Sequence, residues 1–131
     1  MFRDIEEVVI NCETWCRAGI NGDSQLLNDQ NAMCCLGFEC LNRGLKPSQI
    51  RGLGNPCDVS DKFGEAIPDM VLETRVSAYQ SFKNNDLVEQ CIEINDDSAI
   101  SDSQRMKKLK EIFKKRGLKI RFVNIPDGVL E

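Results

Sequence analysis

The stretch SDSQRMKKLKEIFKKRGLKIRFV, residues 101–123, decides the fold class. Ser101 with Gln104 three residues later makes a capping-box pattern, and Met106, Leu109, Ile112 and Phe113 then supply the inner face of a helix that stops at Gly117. Immediately after it, Lys119-Ile120-Arg121-Phe122-Val123 alternates with period two, as a half-buried strand does. A helix running into a short C-terminal strand makes the chain a helix-rich α+β protein, a single domain over 1–131 with three or four helices.

Upstream, Asp86 with Glu89 repeats the capping pattern, Leu87, Val88, Cys91, Ile92 and Ile94 follow on one side, and Asn95-Asp96-Asp97-Ser98 closes that helix. At the other end of the chain, Ile5, Val8, Val9, Cys12, Trp15 and Cys16 fall at helical spacing, which predicts a first helix ended by Gly19. Asn21 to Ser24 is turn chemistry, and Asn28-Asp29-Gln30-Asn31 offers capping side chains before the apolar run Met33 to Leu41. That run is apolar almost all round and reads as a short buried helix ended at Gly44, with Gly37 admitting a close neighbour. Residues 45–67 form an irregular, loop-rich segment holding Gly52, Gly54, Gly64, Pro47 and Pro56. Over 69–82 both a helix and a strand fit, and helix is favoured. The expected core contains Val8, Val9, Trp15, Leu36, Ile92, Leu109 and Ile112. The strand at 120–123 lacks an obvious partner in the chain, so a second copy in a homodimer is one candidate.

Composition bounds the function. With 41% hydrophobic and 29% charged residues the chain is of ordinary globular type. No apolar run approaches the roughly 20 residues that span a bilayer, and the acidic start Asp4-Ile5-Glu6-Glu7 is unlike a signal peptide, so a cytoplasmic location without membrane contact is expected. The seven cysteines are then expected as reduced thiols. Histidine is absent, which removes Ser-His-Asp and Cys-His catalysis and every imidazole metal site. The net charge of −4 hides an asymmetry: between Arg105 and Arg121 nine basic residues face one acid, Glu111.

Taken together, Trp15, Leu26-Leu27, the string Cys34-Cys35-Leu36-Gly37-Phe38-Glu39-Cys40-Leu41 and Ile94-Asn95-Asp96 before a late amphipathic helix resemble an uncharacterised family of small bacteriophage-encoded proteins. The resemblance spans about Trp15 to Phe113. It implies a phage or prophage product working in the host bacterial cytoplasm, and it brings no activity with it.

Three groups of residues are candidates for a site. Cys12, Cys16, Cys34 and Cys35 could hold a structural zinc if the early elements pack together, although the Cys-x-x-Cys knuckle is missing and core packing explains them as well; the expectation is no cofactor. Asp96 and Asp97 could serve a small hydrolytic enzyme, yet acids between helices commonly cap the next one. Lys107, Lys108, Lys110, Lys114, Lys115 and Arg116 occupy outward helix positions and, with Lys119 and Arg121, could meet nucleic acid or a phosphorylated small molecule. The leading expectation is a non-enzymatic accessory protein that binds and modulates a host protein or defence component.

Overall fold

The computed structural model describes residues 5–54 and 86–127. Along these the chain runs through β1 (Glu7–Asn11), α1 (Cys35–Asn42), α2 (Pro47–Ile50), α3 (Asp86–Asp96), α4 (Asp102–Lys115) and β2 (Lys119–Val123). This is the α+β, helix-rich arrangement, with the C-terminal strand at the residues where its alternation starts and stops. Cys57, the segment 69–82 and the part of the loop-rich segment beyond Gly54 lie outside the described residues. The part before it holds the single turn of α2.

The first element corrects the reading of the sequence. Residues 7–11 are a strand and not a helix, with Val8 and Ile10 buried and their neighbours outward. Val8, Cys12 and Trp15 fit a helix face by spacing alone, but Val8, Ile10 and Cys12 fit a strand equally well. The β-branched run Val8-Val9-Ile10 packs better on a pleated sheet. Trp15 and Cys16 sit in the loop beyond, and Gly19 ends no helix. It shares a tight turn with Ala18, both at positive φ, closed by reciprocal backbone bonds between Arg17 and Ile20.

Strand β1 also answers where β2 finds its partner: the two pair in parallel within one chain, Val8 opposite Ile120 and Ile10 opposite Phe122. A second copy is not required for that pairing. Helix α1 packs on β1, α4 packs on β2, and α3 lies against both helices. Between them Trp15, Leu36, Phe113, Leu109 and Ile10 are fully buried, with the Trp15 and Phe122 rings 5.3 Å apart. Of the expected core, Val9 and Ile92 are only partly buried.

Local chemistry fixes the ends of α4. Ser101 accepts from the Gln104 N–H while the Gln104 side chain accepts from the Ser101 N–H, which is the capping box in full. At the other end Gly117, at φ +82°, lets Leu118 N–H reach the Phe113 carbonyl and Gly117 N–H the Lys114 carbonyl. That glycine turn aims the chain straight into β2. Gly37 in α1 has a different reason. A Cβ there would collide with the Leu26 carbonyl oxygen, so the absent side chain is what lets the preceding loop lie against the helix.

Candidate functional site

Among the described residues, three buried polar clusters decide which sequence candidates remain available. Asn95, 1% exposed, is the hub of the first. Its Oδ1 accepts from Trp15 Nε1–H at 2.8 Å and from the Cys35 N–H at 3.1 Å, while its Nδ2 donates to the Cys16 carbonyl at 3.0 Å. Helix α1 has no cap from its own N-cap residue Cys34, and the side chains at 28–31 do not cap it either. Asn28 binds the backbone of its own loop, and Asn95 closes the start of α1 from another helix. This contact was concealed in sequence by the usual role of Asn-Asp pairs in turns. The signal was present: Asn95 stands seven residues from Val88 and four from Cys91, on the buried face of α3.

The second cluster joins the N-terminal loop to α4. Arg17 lies over the Trp15 ring, 4.5 Å from its centroid, donates to the Cys12 and Trp15 carbonyls, and reaches Asp102 at 2.8 Å. Arg105 also meets Asp102 and donates to the carbonyls of Ile94, Asn95, Asp97 and Ile100, so it closes the end of α3. Burial opposes ionisation of Asp102, but the hydrogen bonds and charges of Arg17 and Arg105 outweigh it and hold the carboxyl below its usual value.

The third cluster takes Arg116 out of the basic surface. Its side chain and that of Glu39 are both 0% exposed and meet in a two-pronged ion pair, both contacts 2.8 Å, while Arg43 reaches Glu39 at 2.9 Å. Arg116 is therefore a core residue and not a binding residue: it follows the last turn of α4, where the chain bends inward to the Gly117 turn. An acid in the middle of the all-apolar run Met33 to Leu41 announced a buried charge in search of a partner, and Arg43 one turn later was legible as one. Arg116 is 77 residues away.

Among the described residues the four thiol candidates do not gather into one metal-binding group. Cys12 follows a strand, Cys16 lies in the loop, and Cys34 and Cys35 open α1, so Cys12 and Cys16 do not share the expected first helix. Among the described residues no three Cys, Asp or Glu side chains are grouped to hold a metal ion. Burial pushes every described thiol up, Cys34 and Cys91 to about 12 and Cys35 and Cys40 well above their ordinary value. At Cys12 the Arg17 charge opposes that rise and does not cancel it. These sulfurs are protonated packing groups. Asp96 and Asp97 are exposed at the end of α3, where Asp97 accepts from the Ala99 N–H and Asp96 from Asn95.

What remains at the surface is a basic face. Lys107, Lys110 and Lys114 follow one row of α4 at i, i+3 and i+7, and Lys110 and Lys114 border an open groove of about 500 Å³ with Leu118, Lys119, Ile120 and Arg121. Lys110 extends over Phe122, its ammonium 5.9 Å from the ring centroid. Lys108 and Lys115 stand on a second row with Glu111 between them, one turn from each. Glu7 enters the groove and meets Arg121 at 3.5 Å, but with Arg121 58% exposed this contact is worth little and is screened by salt. Among the described residues the aromatic rings Trp15, Phe38, Phe113 and Phe122 are all buried, so none of them offers a platform beside the lysines. The exposed large apolar side chain among the described residues is Ile20, standing singly. No helix of the described residues is long and apolar enough to cross a membrane.

The chain matches no family model, no curated protein and no solved structure.

Proposed function

We propose that this is a non-enzymatic binding module of phage type that docks an acidic surface of a host protein on the basic face of α4 and β2. The observation that carries the reading is the groove between these elements, where Lys110, Lys114, Lys119 and Arg121 surround one concavity. A concave site in which four cations outnumber one acid, Glu7, steers an oppositely charged partner and sets its orientation. Of the other candidate groups, Arg116 is paired with Glu39 and the described thiols are buried in the core, while Asp96 and Asp97 are exposed and accept local bonds from Asn95 and the Ala99 N–H. Among the described residues the exposed large apolar side chain, Ile20, stands away from the groove, whose floor holds Leu118 and Ile120 between the cations, so charge selects the partner. A nucleic acid is the competing partner, favoured by the lysine row and disfavoured by the buried aromatics.

Affinity capture from nuclease-treated bacterial lysate separates the two, using wild-type protein beside a Lys110→Glu, Lys114→Glu double variant. A host protein retained after nuclease and lost with the charge reversal is the expected result. Nuclease-sensitive nucleic acid in the wild-type eluate transfers the function to the competing reading. Capture of the same protein by the reversed variant removes the basic face from the function altogether.

A further inference from the structure

In a parallel ladder, successive residues of a strand direct their backbone groups alternately to the two sides. Lys119 N–H bonds the Glu6 carbonyl, and Cys12 N–H bonds the Val123 carbonyl. Lys119, Arg121 and Val123 therefore carry the bonds to β1, and the N–H and C=O groups of Ile120 and Phe122 face the opposite edge of β2. No hydrogen bond from the described residues reaches those four groups. The corresponding edge of β1 is treated differently: Val9 N–H is taken by the Asn42 side chain at 3.0 Å. Asn42 of α1 takes one edge of the two-stranded sheet at Val9, whereas among the described residues nothing bonds the other edge, where Ile120 lines the basic groove.

We propose that the open edge of β2 is a strand-addition site for an extended acidic segment of a partner protein. The incoming backbone would pair with Ile120 and Phe122, and carboxylates at its outward alternate positions would face Lys119 and Arg121, with Lys110 and Lys114 lining the groove beside it. The inference rests on the docking reading above and specifies its geometry. Strand addition takes affinity from main-chain bonds and selectivity from side chains on alternate positions. Here the alternate positions of β2 on the outer face are Lys119 and Arg121, both exposed. The same pair argues against a second copy as occupant, since two β2 strands edge to edge bring cations against cations, and like charges across a strand pair repel. An acidic strand turns each of those repulsions into attraction.

The test uses an acetylated, amidated seven-residue peptide of alternating glutamate and valine, and two forms N-methylated on one or the other alternate set of backbone amides. The full-length protein is followed by amide exchange and peptide anisotropy at 50 mM salt. Free protein is expected to exchange the Ile120 and Phe122 amides at least tenfold faster than those of Arg121 and Val123, and peptide binding to slow both. One methylated form should lose affinity at least tenfold and the other keep it. If the peptide binds in a charge-dependent way but neither methylated form differs and no amide is newly protected, strand addition is wrong while the basic-face reading stands. If neither the peptide nor poly-glutamate binds, both fall. Protection of Ile120 and Phe122 in the free protein, or a dimer by sedimentation that protects them, also overturns the proposal.

Discussion

Removing the Asn95 side chain tests the account of the interior most sharply. In an Asn95→Ala variant, Trp15 Nε1–H, the Cys35 N–H and the Cys16 carbonyl lose their bonds at 2.8, 3.1 and 3.0 Å together. A buried donor left without a partner costs about 1–3 kcal/mol, and a carbonyl somewhat less, so the three sum to at least about 3 kcal/mol. Against a typical total of about 5–15 kcal/mol this is a large fraction, and it moves the urea midpoint down by roughly 1–3 M. Trp15 is the sole tryptophan and one of the stranded partners, so its fluorescence reports both the site and the transition. Ser24→Ala, which removes only a 3.5 Å contact to Asn95, is the control and should cost under about 0.5 kcal/mol. A loss below about 1 kcal/mol for Asn95→Ala would refute the hub.

Four further outcomes are expected. Gly37→Ala gains about 1 kcal/mol by helix propensity alone but meets the Leu26 carbonyl, so the variant should be less stable by about 1–3 kcal/mol in the same urea assay; a stabilised protein would contradict the close approach. Glu39→Ala leaves Arg43 and Arg116 buried without their acid and should cost about 3–5 kcal/mol, whereas a loss confined to that of a surface change would mean the cluster is solvated. Because the folded-state pKa of Asp102 lies below its unfolded value of about 4, its contribution is complete above that value and disappears as pH falls through the folded one. The stability gap between wild type and Asp102→Asn should then narrow between pH 5 and the acid limit, and a gap that widens on acidification has the wrong sign. Alkylation by iodoacetamide at pH 8, mapped by mass spectrometry, should leave Cys12, Cys16, Cys34, Cys35, Cys40 and Cys91 unmodified until urea unfolds the chain.

Where one local signal governed, the chain was legible. The capping box at Ser101 and Gln104, the stop at Gly117 and the alternation of Lys119 to Val123 each depend on residues within a turn of one another, and they specify α4 and β2 to the residue. Gly37 was legible for a similar reason, since a glycine inside an apolar helical run has few purposes other than a close neighbour. The first strand was not, because five residues are too few for a period of two to outweigh helical spacing, and the parallel pairing that stabilises β1 is with residues more than a hundred positions away. Distance along the chain also hides which cations turn inward. Lys114, Lys115 and Arg116 are adjacent in sequence, yet a buried Glu39 supplied by α1 draws Arg116 inward. Asn95 showed its face by spacing from Val88 and Cys91, but its three partners come from two other segments of the chain.

The central functional claim is that an acidic partner binds at the α4–β2 face. Chemical-shift mapping of labelled protein titrated with poly-glutamate at 50 mM salt tests it most directly. Shifts concentrated at Lys110, Lys114, Leu118, Lys119, Ile120 and Arg121, reduced severalfold at 200 mM salt and absent in the Lys110→Glu, Lys114→Glu variant, are predicted. Shifts centred elsewhere, or spread evenly over every exposed lysine including Lys46, Lys108 and Lys115, would contradict it.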